Sequence, residues 1–469
     1  MADDPHLRRR LQDIVGERGI VADEVEAAAY LTDWRRAFRG RAAAIVRPAS
    51  TEEVAAVVKL CAGEGIPMVP QGGNTGMCGG AIADDGGRSV VIAMGRMNRI
   101  VDVDVRNDTA TVEAGCVLAD LQAAAAREGR LFPLSLAAEG SCQIGGNVAT
   151  NAGGISVLRY GNTRELTLGL EAVLPDGRVW NGLRSLRKDN AGYDLKQLFI
   201  GGEGTLGIVT QAVVKLHPAI LERSTVLAAV ATVDAAVALL GRLREHCGDT
   251  ISAFELVSRR CLDLVLQHTP AVRDPFSHAS AWYVLAEVGD TRAGGDLRDR
   301  LEAGLLGAGE NGIVTDAVIA ESIAQREALW RLRETLPEAI RAEGLAFRSD
   351  IAVAVGRVPA FVEAAEGDLL REFPGIRIVC FGHLGDGNLH FNALPNRDAP
   401  LSSDWGRDVG RVLYDAVRRY DGSISAEHGI GQAKRAALLR CKSEIEIELM
   451  RKVKQMLDPD GLMNPGKLL

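Results

Sequence analysis

The pattern of hydrophobic and polar residues predicts a chain of mixed helices and strands. Residues 7–18 have the apolar spacing of a helix, and residues 43–70 have the pattern strand, helix, strand. The sequence Ser50-Thr51-Glu52-Glu53 is a helix N-terminal cap, and it marks the start of that central helix. Further strand-like runs lie at residues 90–93, 109–114, 170–174 and 208–216, and a further helix pattern lies at 118–128.

The pattern changes after residue 221, where the glycine clusters stop. Strand-like runs at 224–230 and 282–288 alternate there with long helix patterns at 234–246 and 323–343. A final helix pattern covers residues 432–457. These changes predict an α+β protein with three regions, 1–221, 222–424 and 425–469.

Composition restricts the function classes. With 469 residues, 47% hydrophobic and 25% charged, the chain has globular composition and is too long for one core. A net charge of −8 argues against nucleic acid as a partner, because phosphate binding needs a basic surface. No segment has the length and apolarity of a membrane span or a signal peptide, so we expect a cytoplasmic protein without a transmembrane segment. The eight cysteines lack a CxxC pair and predict buried, reduced thiols.

Three stretches concentrate glycine and other small residues, at positions 70–76, 144–154 and 201–207. Such stretches let backbone N–H groups converge on an anion such as a pyrophosphate. The third contains GxGxxG, but a β-branched run at 208–214 follows it instead of a helix, so a nicotinamide Rossmann site is not predicted. One such stretch alone could be a set of tight turns; three together favour a ligand site.

A hairpin carries the strongest local signal for a metal. In FGHLGDGNLHFN, residues 381–392, Asp386-Gly387 predicts a two-residue turn that places His383 opposite His390. Opposed side chains lie about 5 Å apart at Cβ, so both imidazoles could bind one ion, with Asn392 on the same face. Glu427 is a candidate third ligand, and two histidines with one carboxylate form a catalytic type of metal set. The alternative is an ordinary hairpin with two hydrogen-bonded histidines.

The motifs PQGGNTG, PLSLAAEGSCQIGGNVATNAGG, GGEGTLGIVT, HLGDGNLHFN, AEHGIG and DPDGLMNPGK together resemble one flavoprotein family. The family is the D-2-hydroxyglutarate and D-lactate dehydrogenase branch of the vanillyl-alcohol-oxidase type, and the resemblance covers nearly the whole chain. It implies a two-subdomain FAD-binding domain of the vanillyl-alcohol-oxidase/PCMH type and an α+β substrate domain with an antiparallel sheet. It also implies that the C-terminal helical segment, residues 425–469, completes the active site. The implied reaction oxidises a D-2-hydroxy acid to the 2-oxo acid.

The resemblance also implies roles for individual residues. The implied FAD pyrophosphate contacts are Gly72, Gly73, Asn74, Thr75 and Gly76, with Pro70 shaping the turn. The implied flavin-ring and ribityl contacts are Pro133, Leu134, Gly140, Ser141, Gly145, Gly146, Thr150, Asn151, Gly153 and Gly154. Gly204 and Ile208 are implied near the adenine or the ring edge. None of the eight histidines lies in the glycine stretches, so non-covalent FAD is expected.

For the substrate, the resemblance implies metal ligands His383, His390 and Glu427, with His428 as general base. Zinc is the default ion, and manganese or iron remain open. Arg333 matches the family arginine that binds a carboxylate, and Asn392 joins it in substrate binding. Two positions depart from the family: Pro337 replaces a threonine, and Arg348 replaces a lysine. The substrate therefore stays open among D-2-hydroxyglutarate, D-malate, D-lactate and bulkier acids.

Other functions remain in view. A flavin oxidase that uses O₂ would have the same motifs, and an ether-lipid synthase of the same superfamily uses FAD without net redox. A non-catalytic FAD-binding protein is disfavoured, because Arg333, Asn392 and His428 coincide with the hairpin. As partners we expect an electron-transfer flavoprotein or a quinone as acceptor, and a homodimer is the default assembly.

Overall fold

The computed structural model describes residues 4–270, 272–396 and 402–469. The chain forms two compact units. The first unit contains Met1–Gly153, Gly161–Ala219 and Glu427–Leu469, and the second contains Gly154–Tyr160 and Ile220–Ala426.

The helices of the described residues are α1 (Pro5–Val15), α2 (Glu24–Leu31), α3 (Thr51–Gly63), α4 (Leu118–Arg127), α5 (Ile144–Thr150), α6 (Val157–Tyr160), α7 (Thr163–Leu166), α8 (Lys196–Phe199), α9 (Val233–Cys247), α10 (Arg259–His268), α11 (Leu297–Glu310), α12 (Ile323–Glu334), α13 (Leu336–Ala342), α14 (Val358–Glu372), α15 (Trp405–Arg419), α16 (Arg435–Cys441) and α17 (Glu444–Leu457).

The strands of the described residues are β1 (Ala44–Val46), β2 (Met68–Gln71), β3 (Val90–Ala93), β4 (Ile100–Asp104), β5 (Thr109–Glu113), β6 (Arg130–Leu131), β7 (Thr167–Val173), β8 (Val179–Gly182), β9 (Ile208–Lys215), β10 (His217–Pro218), β11 (Glu222–Val230), β12 (Ile251–Ser258), β13 (Trp282–Asp290), β14 (Asp316–Ile319), β15 (Ile351–Ala352), β16 (Arg377–His383) and β17 (Asn388–Leu394). The mixture of helices with parallel and antiparallel sheets confirms the predicted α+β class.

The first unit begins with a small parallel sheet in the order β1-β3-β2. Helix α3 connects β1 to β2, as predicted, and the Ser50 side chain accepts the Glu53 N–H to cap it. Strand β3 lies between the two predicted strands. Val54, Val57 and Val58 of α3 are fully buried in the core against this sheet. The sheet ends at β2, where the first glycine stretch begins.

The second sheet of this unit is antiparallel, in the order β4-β5-β9-β7-β8. The third glycine stretch leads directly into its strand β9. A Rossmann fingerprint would open a helix at this point, so the predicted strand after the GxGxxG motif is confirmed.

The second unit has a seven-stranded sheet, ordered β14-β11-β13-β12-β16-β17-β15. Helices α10, α12 and α13 pack on one face of it through an apolar core that contains Val265, Leu332 and Ile340. The face beneath these helices carries the side chains of the candidate catalytic site.

Two predicted helices are each divided in the structure. Helix 323–343 becomes α12 and α13, because Pro337 lies in the first turn of α13, where it needs no N–H partner. Helix 432–457 becomes α16 and α17, because Ser443 and Glu446 form a capping box that starts a new helix.

Seven of the eight cysteines are buried, as the sequence predicts. Among the described residues, no helix combines the length and the apolarity needed to cross a membrane.

Candidate active site

The loop after β2 offers a row of backbone N–H groups. Within the described residues, none of the N–H groups of 72–76 donates a hydrogen bond to another protein group. Asn74 has a positive φ of 54°, and its side-chain amide donates to the carbonyls of Ala29 at 3.0 Å and Thr32 at 2.9 Å. These bonds hold the loop in its shape, and its N–H groups stay available to a bound anion.

The first glycine stretch packs against the residues just before the second, and the second packs against Ala114. A Cβ atom on Gly73 would lie 2.0 Å from the carbonyl oxygen of Ser141, and one on Gly145 would lie 2.6 Å from the Ala114 Cβ. By contrast, a Cβ on Gly76, Gly140 or Gly146 would meet no atom within 4 Å. Glycine is therefore required at the first two positions for packing, and the other three line space that a bound group can fill.

Two polar residues of the second stretch support the backbone. The Thr150 hydroxyl donates to the Gly146 carbonyl at 3.0 Å, and the Asn151 side chain accepts the Arg164 N–H at 2.9 Å. Leu134 is buried, and its carbonyl accepts from Gln122 at 2.8 Å. All residues predicted to contact FAD lie in the first unit, except Gly154, which begins a segment of the second.

The third stretch is tied to the C-terminal segment through Glu203. The Glu203 carboxylate accepts the N–H groups of Ile430 and Gly431, each at 2.7 Å. Burial raises the pKa of Glu203, although these two bonds act in the opposite direction. Gly204, with φ +68°, packs against Pro70, where a Cβ would lie 3.1 Å from the proline ring. The third stretch thus lies beside the first, and Ile208 is the buried first residue of β9.

In the second unit, the hairpin turns one residue earlier than the sequence predicts. The Gly387 N–H donates to the Leu384 carbonyl at 3.2 Å, so Gly385-Asp386 is the centre of the turn. Strand β17 therefore pairs His390 with Phe381. The prediction of an Asp386-Gly387 centre, with His383 directly opposite His390, was wrong.

Local contacts explain this register. The Asp386 carboxylate accepts the Asn388 N–H at 3.1 Å, which closes a side-chain turn around Gly387. Gly387 has φ +83°, and a Cβ there would lie 2.0 Å from the Val353 carbonyl oxygen. Only glycine therefore fits at this last turn position.

The two histidines are nevertheless diagonal neighbours on one face of the sheet. Their ring centroids are 5.8 Å apart, and a ring nitrogen of His383 lies within 4.8 Å of one of His390. The Phe381 ring packs beside His390 at 5.0 Å. The predicted proximity holds although the predicted register does not.

A buried carboxylate on β12 connects this pair to α12. Glu255 is fully buried and lies opposite His383 in the strand pairing. Its Oε1 is 2.5 Å from His383 Nδ1, and its Oε2 accepts from Arg333 Nε at 2.8 Å. Burial alone would raise the pKa of Glu255, but His383 and Arg333 together lower it to about 2. An ionised Glu255 can only accept, so Nδ1 of His383 carries a proton and Nε2 is the ring nitrogen left to face a ligand.

Arg333 retains donors for a ligand. Its guanidinium carbon lies 4.5 Å from the centroid of the Phe381 ring, and its Nε is bonded to Glu255. Within the described residues, its two terminal NH₂ groups have no hydrogen-bond partner. An arginine held at Nε can bind a carboxylate through these groups.

The other predicted substrate residues lie along β17. Phe347 pairs with Ala393 and Ile351 with Leu389, a register that places Arg348 level with Asn392 and Asp350 level with His390. The Asn392 side-chain oxygen accepts the Ser349 N–H at 3.0 Å. A carboxylate oxygen of Asp350 lies within 4.8 Å of a ring nitrogen of His390.

Glu427 and His428 follow directly on Ala426, the last residue of the second unit. Both are half-buried. The Ala426 N–H donates to Asp350 at 3.2 Å, so the chain is held by the sheet of the second unit one residue before Glu427.

Two family models match this chain: "FAD binding domain" over residues 42–182 and "FAD linked oxidases, C-terminal domain" over residues 221–468. The D-2-hydroxyglutarate dehydrogenase of Xanthomonas citri pv. viticola is 39% identical over 465 residues, which cover 98% of this chain and 96% of that protein. The mitochondrial D-2-hydroxyglutarate dehydrogenase of Arabidopsis thaliana is 38% identical over 464 residues, covering 98% and 80%. The chain belongs to the FAD-linked oxidoreductase family that contains these dehydrogenases.

Solved structures place this flavoprotein in the vanillyl-alcohol-oxidase type of fold. An alkyldihydroxyacetonephosphate synthase aligns with a TM-score of 0.75 at 18% identity, covering 99% of this chain and 85% of that one. A p-cresol methylhydroxylase aligns with a TM-score of 0.73 at 16% identity, covering 99% and 96%. At these identities the likeness concerns the fold.

The first unit of the flavoprotein fits the cofactor that its family binds. The available N–H groups of residues 72–76 suit a pyrophosphate, and the open space at Gly140 and Gly146 suits a group lying against the second stretch. No histidine lies in the three glycine stretches, so the expectation of non-covalent FAD stands as a prediction.

Sequence reasoning missed Glu255 and Asp350. The signal for Glu255 was a lone acidic residue inside the apolar run Ile251–Ser258, where an unpaired charge would be costly. Asp350 had no comparable signal, since its partners are brought to it from residues 388, 425 and 426 by the fold.

Proposed function

We propose that this flavoprotein oxidises a D-2-hydroxy acid with a second carboxylate, of the D-2-hydroxyglutarate or D-malate type, to the 2-oxo acid. The observation that carries the proposal is Glu255, which binds His383 of the hairpin and Arg333 of α12 with its two oxygens. The buried Glu255 carboxylate thus connects two groups. One is the histidine pair, which is suited to bind a metal, and the other is Arg333, whose terminal NH₂ groups can still bind a carboxylate. The names of the related dehydrogenases point to the same chemistry.

We propose His383, His390 and Glu427 as ligands of a divalent metal, with zinc the default. The donor set fits, because Glu255 accepts the Nδ1–H of His383 and leaves Nε2 as the ligand atom, the usual arrangement around metal-bound histidine. The proximity of His383 and His390 supports a shared ion. Such an ion would hold the substrate carboxylate and α-hydroxyl and lower the pKa of that hydroxyl.

The remaining steps belong to side chains of this chain. His428 accepts the proton of the α-hydroxyl as general base, a role suited to an imidazole near neutral pH. Arg333 binds the distal carboxylate with its terminal NH₂ groups, and Arg348 and Asn392 add donors beside β17. FAD, when bound, supplies the acceptor for the hydride that leaves the α-carbon.

We also propose that the protein acts in the cytoplasm, with a homodimer as its default assembly. We propose further that the reduced flavin passes its electrons to an electron-transfer flavoprotein or a quinone. Slow reoxidation of the reduced flavin by O₂ would support the dehydrogenase, and fast reoxidation would identify an oxidase.

The direct test is anaerobic bleaching of the flavin absorbance by a panel of 2-hydroxy acids. The panel contains both enantiomers of 2-hydroxyglutarate, malate and lactate, before and after treatment with a chelator. We expect D-specific bleaching that is fastest with a dicarboxylate, is abolished by chelation and returns with zinc. Faster bleaching by D-lactate would contradict the dicarboxylate assignment, and bleaching insensitive to chelation would contradict the metal.

A further inference from the structure

Asp350 is a buried carboxylate with no role in the proposed reaction. It is 1% exposed and lies immediately before β15. Its Oδ1 accepts from the Asn388 side-chain amide at 3.1 Å. Its Oδ2 accepts from the Ala426 N–H at 3.2 Å and from the Ser425 hydroxyl at 3.4 Å. Burying a carboxylate costs solvation free energy, so a protein keeps one only where hydrogen bonds compensate for the lost water.

These bonds connect two separate parts of the chain in the second unit. Asn388 begins β17, the strand that carries His390, and Asp350 itself lies level with His390. Ser425 and Ala426 end the segment that precedes Glu427. A second attachment holds the same segment three residues earlier, where Ser423 and Ala352 exchange backbone hydrogen bonds at 2.7 and 3.0 Å.

Residues 423–426 are thus held at both ends, and Glu427 follows directly after them. The next Cα lies one trans peptide, about 3.8 Å, beyond Ala426. Glycine at position 422 supports the tight fit, since a Cβ there would lie 2.5 Å from the Ala352 carbonyl oxygen. Asp350 accepts two of the hydrogen bonds that hold this segment, one from Ser425 and one from Ala426.

We infer that Asp350 is the positioning residue that sets where Glu427 and His428 leave the sheet, and so tunes metal affinity and turnover without contacting the substrate. The inference rests on the proposed function, in which Glu427 binds the metal and His428 takes the proton. Outer carboxylates that orient metal ligands change metal affinity by about 10-fold to 100-fold when they are removed.

The test compares Asp350→Asn with wild type and with Asp290→Asn. Asp290 is also a buried carboxylate of the second unit, but it lies at the far end of β13 with Arg292 and Arg300 as partners. The measurements are zinc affinity by competition with a chelator, FAD content, thermal midpoint, and kcat and KM at saturating zinc.

For Asp350→Asn we expect zinc affinity to fall by about 10-fold to 100-fold, and kcat at saturating zinc to fall more than KM rises. FAD content should stay at the wild-type level, and Asp290→Asn should keep wild-type zinc affinity. Wild-type zinc affinity and kcat in Asp350→Asn would overturn the inference.

If Asp350→Asn does not fold, Ser425→Ala tests the inference instead. This variant removes one hydrogen bond to Asp350 and leaves the carboxylate in place. We expect about a threefold loss of zinc affinity there, and an unchanged affinity would overturn the inference. Failure of the proposed function is visible separately: the wild-type protein itself would then bind no zinc and ignore the chelator.

Discussion

Glu255 and His383 lie opposite each other on the adjacent antiparallel strands β12 and β16, with a carboxylate oxygen 2.5 Å from the ring Nδ1. The same carboxylate bonds Arg333, so one buried charge orients both the proposed metal ligand and the proposed substrate anchor.

Replacing Glu255 by glutamine is expected to weaken zinc binding by about 10-fold to 100-fold, because an amide no longer selects the Nδ1–H form of His383. Loss of the buried partner of Arg333 should also lower the free energy of unfolding by about 3 kcal/mol. Zinc competition and urea unfolding measure the two effects. The control is Glu287→Gln, which removes a buried carboxylate bonded to Thr225 and Trp330. It should lose stability and keep its zinc affinity; equal zinc loss in both variants would argue against a specific role for Glu255.

Replacing Arg333 by lysine is expected to raise KM for a D-2-hydroxy dicarboxylate by about 10-fold to 100-fold, with a smaller change in kcat. Lysine keeps the charge but cannot bond Glu255 at Nε and grip a carboxylate with two further groups. D-Lactate, which has no distal carboxylate, should lose at most about twofold. The matched control is Arg331→Lys, an exposed position on the same helix. An equal loss of activity with both substrates would indicate that Arg333 supports the fold and does not bind the distal carboxylate.

Gly73→Ala is expected to reduce FAD content, because its Cβ would lie 2.0 Å from the Ser141 carbonyl oxygen and would push the first two glycine stretches apart. The FAD content is measured as the ratio of flavin to protein absorbance after gel filtration. Gly63→Ala, at the end of α3 where a Cβ meets nothing within 4 Å, serves as the control and should keep full FAD. Full FAD in Gly73→Ala would contradict the backbone contact.

The raised pKa of Glu203 predicts a pH dependence of stability. Between the ordinary pKa of 4.5 and the raised folded value, the folded state holds a proton that the unfolded state has lost. This contribution is therefore present at low pH and is lost as the pH rises. Relative to Glu203→Gln, wild type should lose stability in urea unfolding as the pH rises above the ordinary pKa of 4.5.

The control for this measurement is Glu446→Gln. Hydrogen bonds from Lys442 and Ser443 hold the pKa of Glu446 at about 2, so it stays ionised over the same range. Its difference from wild type should not change with pH. A wild type that gains stability over Glu203→Gln as the pH rises would contradict the assigned shift.

Elements with strong local signals were predictable from the sequence. The capped helix after Ser50 and the β-branched run that became β9 have propensities that neighbouring segments do not override. The glycine stretches were predictable as tightly packed loops, and the family models support an FAD-binding domain that contains the first two of them. The boundaries at Pro337 and Ser443 were missed although their residues were visible, because helical periodicity continues across both.

The hairpin shows where local chemistry is insufficient. Asp386-Gly387 is a good two-residue turn by itself, but the strand pairing of the folded sheet places the turn centre one residue earlier, and Gly387 packs against the Val353 carbonyl. A change of one residue alters which side chains oppose each other, so the sequence predicted the proximity of His383 and His390 and not their register.

The sequence by itself determined the class of protein: a flavoprotein with three glycine stretches and a histidine hairpin, together with an arginine predicted to bind a carboxylate, all visible as local motifs. Tertiary structure alone decided which charges meet. Glu255 reaches His383 and Arg333 across 128 and 78 residues of chain, and Asp350 reaches Ala426 across 76. Such pairs have no sequence spacing to reveal them, because a buried charge is stabilised by whatever partners the strand order brings to it.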